Sequence, residues 1–223
     1  KKAPYKVACF SEAIEHDGLD EDVSLMMKQT ISRLRENGNQ VDMVDFSLLD
    51  FALPTYYILT TAEASTNLSR YDGVRYGHRS INAGTLEEMY KNTRAEGFGK
   101  EVVRRIMLGT FVLSEGYYDA YYTKAQKMRR LIKDEIQKVL QGYDFILLPT
   151  APGPAFEIGV ERSNPVEMYL EDLFTVPASV AGLPAISLPL AKKGHLPLGL
   201  QVIGDEFQEE DLLAFSEYLL TLS

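Results

Sequence analysis

The apolar positions near the start of the chain follow a strand's spacing and then a helix's. Residues 5–10 (YKVACF) read as a short strand. From 20 to 36, Val23, Met26, Met27, Ile31 and Leu34 recur at helical spacing, with Asp20 placed to cap the first turn. The segment ENGNQ supplies the asparagine and glycine expected after a helix C-terminus. QVDMVDF (40–46) then alternates as a half-buried strand. Strand, helix and strand in that order read as a βαβ unit, which predicts an α/β fold.

Pro54 is expected to close that unit. The stretch 55–80 is rich in Tyr, Ser, Thr, Asn and Gly, with helical character in its first half, where Ile58, Ala62 and Ser65 share a face. Residues 86–92 and 100–114 read as helices. The clearest helix is 117–141, in which Tyr121, Ala125, Met128, Ile132, Ile136 and Val139 fall near helical period. FILLPT (145–150) is a continuous apolar run, as in a buried strand. AISLPLA (185–191) and LGLQVIG (198–204) flank KKGHLP and read as an antiparallel hairpin, and a last amphipathic helix carries Leu212, Phe215, Leu219 and Leu222. The first half of a sheet is expected to be missing, and the pattern fits equally a domain that folds alone and the trailing part of a larger mixed sheet.

Composition changes this picture little. The chain has 223 residues, of which 45% are hydrophobic and 25% charged, and is long enough to bury a core without metals or disulfides. Charge changes it more. A net charge of −9 repels phosphates, so direct nucleic-acid binding by this chain is not expected. One cysteine, Cys9, permits no internal disulfide and fits a reducing, cytoplasmic setting; its place in a strand predicts a buried, inert thiol. No apolar run approaches the roughly 20 residues that span a membrane. The opening Lys1-Lys2 lacks a methionine, which suggests a piece of a longer protein.

Several chemistries find no motif. His16, His78 and His195 are far apart in sequence and lack metal-ligand spacing. There is no Walker loop, no dinucleotide-binding glycine pattern beyond a bare GxG at 97–99, and no GxSxG elbow. What stands out is polar and local. Glu63, Ser65, Asn67, Ser69, Arg70, Asp72 and Arg75 crowd into AEASTNLSRYDGVRYG (62–77), and Arg94, Glu96, Lys100, Arg104 and Arg105 follow. GYYDAYYTKAQKMR (116–129) packs four tyrosines together, and LEDLFTVPASVAGLPAISLP (170–189) joins an acidic pair to a small-residue, proline-punctuated stretch. On composition these are ordered loops, where function often resides.

In order, ALPTYYIL, AEASTNLSRYDGVRYG, EGFGKEVVRRIMLGTFVLSEGYYDAYYTKAQKMR, LLPTAP, MYLEDLFTVPASVAGLPAISLP and GLQVIG resemble the amidase-signature family. EASTNLSRYDGVRYG and the tyrosine-rich block resemble its tRNA-dependent amidotransferase branch in particular. The resemblance implies an α/β amidase-signature fold, a mixed β-sheet flanked by helices. Residues 1–223 would form the C-terminal portion of one such domain, with the catalytic serines, lysine and Gly-Ser-rich signature preceding it. It implies a parent that releases ammonia from glutamine for a tRNA-binding partner subunit, with a small third subunit in the complex and with ATP and magnesium at the partner. It also places glutamine against Tyr56, Arg105 and Asp172. Chemically, an arginine can grip an α-carboxylate bidentately, an aspartate can pair with an α-ammonium, and a tyrosine hydroxyl can orient the whole. Each residue has a plainer alternative. Arg105 can pair with Glu101 on the helix surface, Asp172 can cap a following turn, Tyr56 can be core, and Tyr57 competes with Tyr56. For the parent, a stand-alone hydrolase of a small amide and a non-catalytic interaction module are the rival readings.

Overall fold

The computed structural model describes residues 4–159 and 171–222. Two compact units divide the chain. One combines Lys1–Leu53 with Met128–Ser223, and the other is Pro54–Lys127. The first is called the sheet unit below, the second the helical unit.

The sheet unit is built on five strands, β1 (Lys6–Phe10), β2 (Gln40–Val44), β3 (Phe145–Pro149), β4 (Ala185–Lys193) and β5 (Leu196–Ile203), in the order β2-β1-β3-β5-β4. β1 runs parallel to β2 and β3, with Val7 opposite both Val41 and Phe145. β5 lies antiparallel to β3 and β4, so the sheet is mixed, as expected. β4 and β5 form the hairpin across Gly194, whose φ of +62° lies in the left-handed region that glycine tolerates. Every residue of β3 is buried, the mark of a strand covered on both faces.

The helices follow the chain through both units. α1 (Ser11–Ile14) and α2 (Glu21–Glu36) belong to the sheet unit, and α3 (Leu49–Leu68) begins there. The helical unit takes the rest of α3, with α4 (Leu86–Gly97) and α5 (Lys100–Val112). A full capping box between Thr85 and Glu88 opens α4. α6 (Lys124–Leu140) starts in the helical unit and carries the chain back to the sheet unit, where α7 (Val176–Ala181) and α8 (Glu209–Leu222) follow.

α2 is capped as expected: the Asp20 carboxylate accepts from the Asp22 N–H at 3.0 Å. Behind it, Asn39 from ENGNQ is buried. It accepts the Tyr5 N–H at 2.9 Å and donates to the Leu34 carbonyl at 3.0 Å, which ties the end of α2 to the start of β1. Alternation along the strands sends Val7, Cys9, Phe145 and Leu147 to one face, where they meet Met27, Leu34, Phe215 and Leu219 of α2 and α8. Phe145 and Phe215 stack at 4.3 Å.

Four features differ from the sequence expectations. α1 is a single turn, too short for a period to show; its Glu12 accepts the Phe46 N–H at 2.7 Å. Pro54, expected to close the βαβ unit, lies within α3, whose first residues belong to the sheet unit, and it marks the boundary between the units. At the sixth position of α3, past the first turn, its missing N–H forfeits one backbone bond of the helix. The expected helix over 117–141 opens as a π-helical stretch, Tyr118–Thr123, before α6 begins, and Tyr121 is exposed instead of facing a core. Finally, VPASVA is a helix, not a loop: Pro177 stands in its first turn and Gly182, at φ +72°, stops it. The first residues of the MYLEDLF motif, 168–170, and Lys1-Lys2 lie outside the described residues.

Candidate functional site

Arg105 sits in the second turn of α5, a helix that Gly99 opens without a side-chain cap. Its Nε donates to Glu101 Oε1 at 3.0 Å, and Arg104 Nη1 donates to the other carboxylate oxygen at 2.6 Å. The plain helix-surface pair weighed for Arg105 is therefore formed. The guanidinium also lies over an aromatic face, with Cζ 5.6 Å from the Tyr57 ring centroid. Tyr56 meets Tyr57 edge to face at 5.2 Å. Partial burial works against the Arg105 charge, but the hydrogen bond and charge of Glu101 outweigh it, so its pKa lies above the ordinary arginine value.

Gly109 explains why α3 and α5 come this close. A Cβ there would run into the Thr61 carbonyl and stand 2.6 Å from Ser65 Cβ. Beside it the Ser65 and Thr110 hydroxyls bond at 3.0 Å. One helical turn back from that contact stand Tyr57 on α3 and Arg105 on α5. The cluster of Tyr56, Tyr57, Glu101 and Arg105 thus follows from a glycine that lets two backbones touch.

Asp172 belongs to the sheet unit. It is exposed, on the turn that leads into α7. Its backbone carbonyl, not a carboxylate oxygen, accepts the Thr175 and Val176 N–H groups at 3.1 Å each. The turn is anchored from below. Phe174 is fully buried, and its carbonyl accepts from the Gln201 side chain on β5 at 2.8 Å. Beside it, at the ends of β3 and β5, a cleft of about 360 Å³ is lined by Thr150, Gly153, Phe156, Glu171, Ser187 and Gly199 among others. Thr150 and Ser187 point their hydroxyls at each other, 2.7 Å apart. No histidine or lysine lines this cleft among the described residues, so neither hydroxyl has a nitrogen base beside it.

The sequence candidates therefore divide. Tyr56 and Arg105 share one cluster in the helical unit, and Asp172 stands on an anchored turn in the sheet unit. Tyr57, weighed as a rival to Tyr56, takes the position beneath the guanidinium. Arg94 and Glu96 turn out to hold local structure. Arg94 Nη1 caps the end of α3 through the Leu68 carbonyl at 2.9 Å and the Tyr71 carbonyl at 3.2 Å. Glu96 accepts from His78 at 2.8 Å and from the Ser80 hydroxyl at 2.9 Å. Cys9 is fully buried, and burial pushes its thiol up to about 12. Among the described residues no group of three His, Cys, Asp or Glu is gathered that can hold a metal ion, and no helix is long and apolar enough to cross a membrane.

Sequence reasoning missed Gly109 and Gln201. A glycine inside an otherwise helical pattern is a signal of close packing. A glutamine among the apolar residues of LGLQVIG is a signal of a buried hydrogen bond.

Comparison with known proteins adds a different kind of observation. The Amidase family model matches residues 1–213. The chain is 53% identical over 196 residues to the A subunit of glutamyl-tRNA(Gln) amidotransferase from Clostridium botulinum (strain Kyoto / Type A2), a match that covers 88% of this chain and 40% of the relative. Among solved structures, the corresponding protein from Thermotoga maritima is 42% identical with a TM-score of 0.69, covering 93% of this chain and 40% of that one. A crystal structure of an amidase, 24% identical with a TM-score of 0.76, covers 99% of this chain and 46% of its own, and shows the fold alone. The chain thus spans about 40% of the length of the curated relatives it matches.

Proposed function

The chain belongs to the amidase-signature family, and from that premise we propose that it is the glutamine-recognising portion of the glutaminase subunit of a tRNA-dependent amidotransferase. The observation that carries this reading is the 53% identity, across 88% of the chain, to an amidotransferase of that kind. In this reading the parent liberates ammonia from glutamine. A tRNA-binding partner subunit, completed by a small third subunit, uses ATP and magnesium to activate glutamate on misacylated tRNA and turns Glu-tRNA(Gln) into Gln-tRNA(Gln). The net charge of −9 fits a division of labour in which another subunit holds the nucleic acid. The setting is the cytoplasm. The catalytic serines and lysine of the family lie outside these 223 residues, so the chain alone releases no ammonia.

Recognition follows from the chemistry of a free amino acid. Arg105 grips the α-carboxylate, Tyr56 adds a hydroxyl, and Asp172 pairs with the α-ammonium. Steady-state kinetics of the full-length parent test this. Removing one member of a buried charged pair typically costs about 2–5 kcal/mol. Arg105→Ala should therefore lower kcat/KM for glutamine by roughly 30-fold to several thousand-fold, at about 1.4 kcal/mol per decade. Arg105→Lys, which keeps charge but loses the planar fork, should fall between. Asp172→Asn should weaken glutamine more than a plain aliphatic amide that has no α-ammonium. Equal losses on both substrates would return the parent to general amide hydrolysis, and wild-type glutamine turnover in Arg105→Ala would remove the site.

A further inference from the structure

In the helical unit the Arg105 guanidinium has a defined seat. A guanidinium is a flat fork with five N–H groups, and its two edges are not equivalent. One edge carries Nε; the end carries Nη1 and Nη2. Glu101 takes the Nε side at 3.0 Å. Cζ stands over the Tyr57 ring, 5.6 Å from its centroid. Among the described residues, neither Nη nitrogen of Arg105 has a hydrogen bond. Held by Nε and set over the Tyr57 ring, the fork keeps its Nη1–Nη2 end for a planar anion.

An ordinary surface pair would not need this arrangement. Glu101 has a second arginine, Arg104, on its other oxygen at 2.6 Å. That contact holds the carboxylate by its other oxygen as well. Arg105 itself is the less exposed of the two arginines, with 36% of its side chain accessible against 55% for Arg104. The two bonds to Glu101 are therefore unequal in use: one sits at the surface, and the other faces the tyrosine pair.

We propose that Glu101 is a positioning residue, holding Arg105 by Nε above Tyr57 so that the Nη1–Nη2 end is presented to the α-carboxylate of glutamine. The proposal rests on the reading of Arg105 as the carboxylate-binding group and adds to it a residue that never touches substrate. The raised pKa of Arg105 agrees with it, since Glu101 more than offsets the effect of burial on the charge. Pre-orienting a side chain in this way lowers the ordering cost at binding, so the effect belongs in KM.

Glutaminase kinetics of the full-length parent decide the matter, with Glu101→Ala, Glu101→Gln and Arg105→Ala assayed side by side and each variant melted. Glu101→Gln keeps an acceptor for Nε but loses the charge; Glu101→Ala loses both. The expected result is a KM for glutamine raised about 10-fold in Glu101→Ala and about 3-fold in Glu101→Gln, with kcat within about 2-fold. Melting temperatures should stay within about 2 °C, because an exposed i,i+4 pair adds little to stability. A merely structural role would lower the melting temperature without that KM-against-kcat split. If Glu101→Ala does not fold, the Glu101→Gln variant carries the test, and a wild-type KM in it overturns the proposal. An unchanged KM in both Glu101 variants, with KM raised in Arg105→Ala, overturns the role of Glu101 and leaves carboxylate binding by Arg105 standing. A lowered KM in Glu101→Ala overturns it as well, since Glu101 would then be a competitor for the fork. A wild-type KM in Arg105→Ala removes the reading of Arg105 and the proposal with it.

Discussion

The two units bury different things. The sheet unit buries large apolar side chains, including Phe10, Phe46, Phe145, Phe174 and Phe215 along with Met27, Leu34 and Ile146. The helical unit buries Ala62, Met89, Val112 and Ala125 beside Thr55, Thr61, Ser80 and Thr93, all of them small or polar except Met89 and Val112. Its buried hydroxyls have partners: Thr61 donates to the Tyr57 carbonyl at 2.6 Å, and Thr93 accepts the Ser80 N–H at 3.0 Å. The first unit is held by area removed from water. The second is held by specific bonds, helix caps and one close helix approach. The tyrosine–arginine cluster lies in the second, where geometry is set by directional contacts that a substrate can also use.

The largest effect should come from the sheet unit. Phe145 packs against Phe215 at 4.3 Å and Tyr5 at 5.9 Å, in the face covered by α2 and α8. Phe145→Ala leaves a cavity that rigid neighbours on several elements cannot fill. Its expected cost is about 3–5 kcal/mol, read by equilibrium denaturation. A loss below about 1 kcal/mol would mean that the sheet unit does not depend on this packing.

Gly109 sharpens the contrast from the other side. In an exposed helix, glycine to alanine gains stability by about 1 kcal/mol. Here the added methyl meets the Thr61 carbonyl and the Ser65 side chain, so α3 and α5 must part. Gly109→Ala should cost about 1–3 kcal/mol despite the better helix propensity. It should also raise KM for glutamine in the parent, because Tyr57 and Arg105 sit one turn from the contact. A stabilised Gly109→Ala would show that the close approach is not what holds the cluster.

The same contrast governs how much was legible in the sequence. Period and apolar runs mark elements that exclude water, so β1, α2, β3, the β4–β5 hairpin and α8 could be read directly. The Asp20 cap was legible because its pattern is local. In the helical unit the controlling contacts join residues far apart in the chain. Arg94 and Leu68, Thr93 and Ser80, and Gly109 and Thr61 leave no periodic trace. The π-helical stretch over Tyr118–Thr123 is also short, and its i→i+5 bonding blurs into an α-helical period. For the candidate site, Arg105 and its pairing with Glu101 were visible as an i,i+4 spacing. The ring beneath the guanidinium was not, since Tyr56 and Tyr57 are adjacent and only the direction of α3 chooses between them. The Gln201 anchor under the Asp172 turn needed the sheet before it could be seen.

The smallest expected effect compares one carboxylate from each unit. Asp20, in the sheet unit, is held below its ordinary value of 3.8 chiefly by the hydrogen bond from Lys193, with further help from the N–H groups that open α2. Glu96, in the helical unit, is held below its ordinary value of 4.5 by His78 and then by Ser80. In both cases the folded state binds fewer protons than the unfolded one across the window between the two pKa values. Each contribution is therefore complete above the unfolded value and is lost as pH falls through the folded one. Thermal melts from about pH 6 down to about pH 3 should show stability falling on the acid side. Asp20→Asn keeps a cap for α2 but cannot titrate, and Glu96→Gln keeps an acceptor for Ser80 but cannot titrate. Each should flatten part of the acid limb, and the double variant should flatten it by the sum, because the two carboxylates share no partner. An acid limb unchanged by either variant would place the pH dependence elsewhere. A sum that fails would mean that the two units do not respond to acid separately, and the contrast drawn between them would have to be given up at that point.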